Sequence, residues 1–185
     1  DDMQNYLLER NDTVLVVVDI QEPFLRNIFE RDRVVTNAIK LIEAAKVLGV
    51  PIVTTLQYKE KMGDVIPEVA EALPDDDERI DKMTFSCCTE QFNARLSQLG
   101  HNTVLLCGVE THVCLNQTAL DLIQLGYKVQ LAADAVSSRK ESDYKIGLEK
   151  LRGAGVVITS TEAAIFELLR DAAAPEFRNI LRIIK

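Results

Sequence analysis

Five short apolar runs rich in β-branched residues recur along the chain, and they constrain its fold more than any other feature. Residues 13–18 (TVLVVV) form the first. A run of this length without polar alternation fits a strand buried on both faces of a parallel sheet. Residues 51–55 (PIVTT), 103–107 (TVLLC), 128–132 (KVQLA) and 156–159 (VVIT) repeat the theme. Amphipathic stretches lie between them. Residues 34–48 place apolar side chains at helical spacing, with Gly49 just past the end in a C′ position. Thr89 can cap a helix that closes at Gly100, and Thr111 one that closes at Gly126. Residues 142–151 are read as a helix, Ser160 or Thr161 as the cap of another, and Pro175 as the start of a terminal one. Strands alternating with helices predict one α/β domain over residues 1–185, with a parallel sheet and right-handed crossovers. Residues 56–83 carry Gly63, Pro67, Pro74 and the acidic run 75–78, and have no clear assignment beyond a lid or binding loop.

Composition narrows the function classes. The net charge is −8 and no long basic cluster occurs, so neither nucleic acid nor an anionic membrane is an expected partner. No stretch approaches the roughly 18 apolar residues of a membrane span. The first twelve residues carry four acids and no apolar h-region, so no secretory signal is expected there; a cytoplasmic location is, or an organellar one after loss of an upstream segment. Four cysteines in 185 residues are too few for a disulfide scaffold, and a bridge between adjacent Cys87 and Cys88 would be strained. No glycine-rich phosphate loop follows a strand, so no nucleotide cofactor is expected.

In an open α/β sheet the ligand site lies beyond the carboxyl ends of the strands. The residues there are Asp19 after the first run, Gln57 and Tyr58 after the second, 108–114 (GVETHVC) after the third and Asp134 after the fourth. Cys114 falls in the first turn of a helix, where free amides and the helix dipole lower a thiol pKa. Its neighbours at i+3, i+4 and i+7 are Gln117, Thr118 and Asp121, all polar, which argues against a buried structural cysteine. Asp19 closes an apolar strand and needs a partner or serves as a cap. Lys82 gains meaning only if it meets both. Then a lysine ammonium stabilises a thiolate and a carboxylate shuttles its proton. His112 is two residues from Cys114, so their side chains diverge.

Three segments carry a resemblance to a known family: 16–21 (VVVDIQ) with Phe24, 82–86 (KMTFS) and 108–114 (GVETHVC). In this order and spacing the chain resembles the isochorismatase-like cysteine hydrolases. Its later portion, with 137–139 (SSR), looks most like the isochorismatase domain-containing proteins. The resemblance implies a three-layer α-β-α Rossmann-like sandwich on a mostly parallel six-stranded sheet, and a homo-oligomer, dimer or larger. It implies a catalytic triad of Asp19, Lys82 and Cys114. It also implies a cis Val109–Glu110 peptide that turns the Glu110 and Cys114 amides toward one oxyanion. Phe24, Gln57, Tyr58, Phe85 and Cys88 are candidate substrate-binding residues; Cys87 and Cys107 are read as packing residues. Isochorismatases proper cleave a vinyl ether and lack the nucleophilic cysteine, so Cys114 points to hydrolysis of a small amide-type substrate through a thioester. Nicotinamidases carry a metal-binding Asp-x-His where this chain has Gln57-Tyr58-Lys59, and only two histidines occur, so no metal is expected. A catalytically silent binding or assembly protein is the alternative, and a thiol-redox protein using Cys87 and Cys88 a more distant one.

Overall fold

The computed structural model describes residues 5–185. Strand β1 (Thr13–Val18) leads into α1 (Glu22–Leu25) and α2 (Arg31–Leu48), then β2 (Ile52–Gln57) into α3 (Lys59–Met62) and α4 (Pro67–Ala72). Strand β3 (Arg79–Lys82) precedes α5 (Glu90–Leu99), and β4 (Thr103–Val109) runs through a π-helical turn (Thr111–Leu115) into α6 (Asn116–Gln124). Strand β5 (Lys128–Ser137) precedes α7 (Glu141–Gly153), and β6 (Val157–Thr159) precedes α8 (Thr161–Leu169) and α9 (Phe177–Ile184). The strands form one sheet in the order β3-β2-β1-β4-β5-β6, all pairs parallel.

The unbroken apolar run of β1 has the cause expected of it. Leu15 and Val17 point into a core formed with α2, α4, α8 and α9, through residues such as Leu41, Val69, Ile165 and Ile180. Val14, Val16 and Val18 point into a second core with Phe92 of α5, Leu122 of α6 and Leu151 of α7. Helices on both faces of one sheet make three layers. The predicted caps at Thr89 and Ser160 are present: their hydroxyls accept from the amides of Phe92 and Ala163. Gly49 closes α2 in the left-handed conformation, at φ 72°.

Residues 56–83 differ from the loop expected. They hold two short helices and β3, which pairs Gln57 with Lys82 at the sheet edge. Strand β5 runs on to Ser137 across an irregularity: Leu106 pairs with Leu131 but Gly108 with Val136. Asp134 lies in that irregular stretch, and its carboxylate takes the amide and hydroxyl of Thr161 at the start of α8, both at 2.8 Å.

The chain builds outward from β1 to β3, then returns to the other side of β1 with β4. A crevice opens at such a reversal, at the carboxyl ends of β1 and β4. There the two strands crowd. Gly108 sits at φ 123°, and a Cβ on it would lie 2.1 Å from the carbonyl oxygen of Val18. We therefore expect Gly108→Ala to destabilise the fold by about 3 kcal/mol or more in denaturant titration. Gly49→Ala, with nothing within 4 Å of its Cβ, should cost about 1–2 kcal/mol for its positive φ alone.

Candidate active site

Three residues far apart in sequence meet at the carboxyl end of the sheet. Asp19 leaves β1 at φ 51°, a left-handed conformation that aspartate tolerates better than most residues. Its amide still donates to the Thr55 carbonyl at 3.2 Å, which continues the β1–β2 ladder by one rung. Its Oδ1 accepts from the Thr55 hydroxyl at 2.9 Å and its Oδ2 from the Lys82 ammonium at 2.8 Å. Lys82 ends β3 and extends past β2. Besides Asp19 it donates to Oε1 of Gln57 and to the carbonyls of Thr84 and Phe85, at 3.2 and 3.1 Å. Its Nζ lies 3.8 Å from Sγ of Cys114. Asp19, Lys82 and Cys114 are 1, 3 and 7% exposed, so the cluster is desolvated.

Burial alone would lower the Lys82 pKa. The Asp19 carboxylate, with smaller help from the Cys87 and Cys114 sulfurs, outweighs it and holds the ammonium above its ordinary value. The thiol behaves against the sequence-based expectation. Burial, and then the Asp19 carboxylate, push Cys114 well above an ordinary thiol, more than Lys82 pulls it down. The helix start does not decide it, because a full negative charge and a dry surround are stronger than a partial dipole. Both shifts favour a neutral thiol beside a charged ammonium. Burial likewise raises Cys87 to about 11 and Cys107 to about 12.

The turn after β4 also differs in detail. Thr111 is fully buried and its hydroxyl has no partner, so it caps nothing; a π-helical turn carries Cys114 into α6 instead. The Val109–Glu110 peptide is cis. The carboxylate of Glu110 accepts from the amide and guanidinium of Arg139, at 2.9 and 3.1 Å. Nδ1 of His112 lies 2.8 Å from the Ser138 hydroxyl, so the ring is engaged away from Cys114.

Gln57 belongs to the cluster: its Nε2 donates to the Met83 carbonyl at 2.8 Å, which leaves Oε1 facing Lys82 and 4.0 Å from Sγ of Cys114. Tyr58, at φ 49°, donates its amide to the Lys82 carbonyl, and its ring lies 5.5 Å beneath the Lys61 ammonium. Phe85 supplies a carbonyl to Lys82 while its ring is 53% exposed. The side chains of Phe24 and Cys88 lie outside the hydrogen-bonded cluster, each packed against a core, with Cys88 Sγ 3.9 Å from the Thr118 carbonyl. Sequence reasoning missed two residues, Thr55 and the full role of Gln21. Gln21 is buried, donates to the carbonyls of Gln57 and Gly63 and accepts from the Gln57 amide, so it fixes the end of β2. The signal for both was polar side chains at the mouths of otherwise apolar strands. Two clefts, of about 720 and 390 Å³, lie elsewhere, lined by the starts of β2 and of β4 and β5.

Removing Lys82 strands a buried carboxylate. Lys82→Met should cost about 3–5 kcal/mol in denaturant unfolding, and Asp19→Asn in the same chain should regain much of it. Because the folded pKa of Lys82 is raised, the pair stabilises fully below the ordinary lysine value of 10.5 and is lost as pH climbs through the higher folded value. Alkaline titration of stability should show that loss in the wild type and not in Lys82→Met.

The family model for the isochorismatase domain matches residues 13–163. A secreted isochorismatase effector, Isc1, from Phytophthora sojae is 41% identical over 177 residues, spanning 94% of this chain and 84% of its own. Isochorismatase domain-containing protein 2 from Danio rerio is 37% identical over 96% of this chain and 89% of its own. The structure of the MAR1 ribonuclease from Caenorhabditis elegans superposes with a TM-score of 0.92 at 32% identity, covering 96% of this chain and 92% of that one. With its three-layer parallel sheet and a domain match over most of its length, the chain belongs to the isochorismatase family and has that family's hydrolase fold.

Proposed function

We propose that the protein is a cysteine hydrolase that cleaves a small amide-type C–N bond through a thioester, with Asp19, Lys82 and Cys114 as its catalytic residues. The observation that carries this reading is the buried contact series Asp19 to Lys82 to Cys114, at 2.8 and 3.8 Å, at the reversal of strand order. The neutral thiol defines the first step. As Sγ attacks the substrate carbonyl carbon, its proton passes to the Asp19 carboxylate and the carbonyl π electrons move to oxygen. Lys82 stays an ammonium throughout and stabilises the developing thiolate. The amides of Glu110 and Cys114 hold the oxyanion. Collapse breaks the C–N bond, and Asp19 returns the proton to the departing amine. Water, deprotonated by Asp19, then attacks the thioester carbon; the acid leaves and the thiol is restored. These steps use no metal or cofactor. Gln57 Oε1, beside both Lys82 and Cys114, is placed to accept from the substrate's N–H, and Phe24, Tyr58, Phe85 and Cys88 complete the binding surface in this reading.

The same proposal includes a homo-oligomer, since Met83, Phe85 and Ile146 are large apolar side chains left 64, 53 and 60% exposed. It also includes a cytoplasmic site of action, which suits four unpaired cysteines. Among the described residues no helix is long and apolar enough to cross a membrane. The word ribonuclease attached to the C. elegans relative raises a second substrate class. A net charge of −8 disfavours a polyanion, so RNA belongs in the test rather than in the proposal.

A panel of small amides assayed by amine release should yield at least one substrate. Cys114→Ala should lower its turnover on the order of 10³-fold or more, and mass spectrometry of the quenched wild type should find an acyl adduct on Cys114. Turnover of RNA but of no amide would refute the amide assignment. Turnover of neither, with the cluster intact, would favour the binding protein.

A further inference from the structure

Two polar residues that follow Cys114, Thr118 and Asp121, are both engaged by a single loop. Thr118 lies one turn after Cys114 and is fully buried; its hydroxyl oxygen accepts from the amide of Cys87 at 2.8 Å. One turn further, the Asp121 carboxylate accepts from the Ser86 hydroxyl at 2.7 Å. Ser86 and Cys87 directly follow Thr84 and Phe85, whose carbonyls are two of the acceptors of the Lys82 ammonium. The loop is also closed on itself. The Thr84 hydroxyl donates to the Ser86 carbonyl at 2.9 Å, and the Cys88 amide donates to the Ser86 hydroxyl at 3.1 Å. A planar peptide carries this anchoring: the Cys87 amide held by Thr118 shares its plane with the Ser86 carbonyl, and that carbonyl accepts from the hydroxyl of Thr84, which ties down the stretch whose carbonyls face Lys82.

We propose that Thr118 and Asp121 are positioning residues that hold the Lys82 ammonium against the Cys114 thiol through the loop at residues 83–88. The inference rests on the reading of Cys114 as nucleophile and Lys82 as its stabiliser. Lys82 itself comes from a four-residue edge strand, bonded along one side only. Its long side chain has many rotamers, and burial of one of them needs acceptors in fixed places. Asp19 and Gln57 supply two from the sheet side. The other two come from the loop, and α6 sets their position. The π-helical turn that runs directly into that helix carries the thiol, so sulfur and carbonyl acceptors move as one unit and the 3.8 Å separation of Nζ and Sγ is fixed across it. Neither Thr118 nor Asp121 touches the reacting atoms.

The test is the rate at which iodoacetamide alkylates Cys114 in the full chain, read by peptide mass spectrometry just below the ordinary thiol pKa. Lys82→Met should slow labelling. Thr118→Val, isosteric but without the acceptor, should slow it by about tenfold or more, as expected of a misplaced catalytic group. Thr118→Ser, which keeps the hydroxyl, should label like the wild type, and Asp121→Asn should fall between. In a Lys82→Met background Thr118→Val should add nothing, because its effect passes through the ammonium. If Thr118→Val labels like the wild type while Lys82→Met is slow, the positioning role is overturned and the triad stands. Equal slowing by Thr118→Val with and without Lys82 would show a purely structural role and overturn it too. If Lys82→Met labels like the wild type, the triad reading fails and takes this one with it. Should Thr118→Val not fold, Asp121→Asn and Ser86→Ala carry the same comparison.

Discussion

The buried ion pair of Asp19 and Lys82 is the constraint around which the carboxyl end of the sheet is arranged. Taking a carboxylate and an ammonium out of water costs several kcal/mol each, and their attraction offsets this only when the remaining lone pairs and protons are also bonded. The neighbourhood supplies those bonds. The Thr55 hydroxyl takes the second carboxylate oxygen, and Gln57, Thr84 and Phe85 surround the ammonium with oxygens. Well-packed apolar residues of the same volume would stabilise such a fold at least as well. Stability therefore gives no reason for the pair, and the proposed chemistry at Cys114 does.

Topology explains why the partners come from where they do. Strand β2 lies between β1 and β3, so Asp19 and Lys82 can meet only across it. The two β2 residues beneath that crossing, Thr55 and Gln57, each bond one member of the pair. On the other side β4 approaches β1 closely enough that residue 108 must lack a side chain. A single crowded reversal of strand order thus gathers segments 63 and 32 residues apart in sequence.

How much of this was legible follows the same physics. Strands buried on both faces announce themselves, so β1, β2, β4 and β5 were readable from their apolar runs, and β6, a half-buried edge strand, from its uncharged, β-branched-rich Val-Ile-Thr. Strand β3 was not: four residues at an edge, Arg-Ile-Asp-Lys, carry three charges and pair on one side only. An inward-pointing lysine is one way an edge strand is kept from pairing with another chain; here it is also the residue the site is built on. Asp19 and Cys114 were legible from their places at strand ends, whereas Lys82 needed the resemblance. The protonation of Cys114 was legible from neither, because burial and the distance to a carboxylate are properties of the assembled fold. Thr111 shows the same limit. Its type and place suit a cap, but the chain enters α6 through a π-helical turn that leaves its hydroxyl unpaired.

That neutral thiol fits the proposed chemistry better than a resting thiolate would. With Asp19 ionised and Cys114 protonated, the buried cluster holds one negative and one positive charge. After the proton moves from sulfur to carboxylate it still holds one of each. The transfer relocates a negative charge within reach of the same ammonium, 2.8 Å from one site and 3.8 Å from the other, without burying a new ion. The burial that holds the thiol up is therefore opposed, at the moment of attack, by the partial release of Asp19 from its own buried charge. The net charge of −8 acts on both arrangements from outside and favours neither strongly, because the exchange displaces charge by only a few ångströms. What decides the balance is the local geometry of Lys82, and hence whatever holds its ammonium between the two.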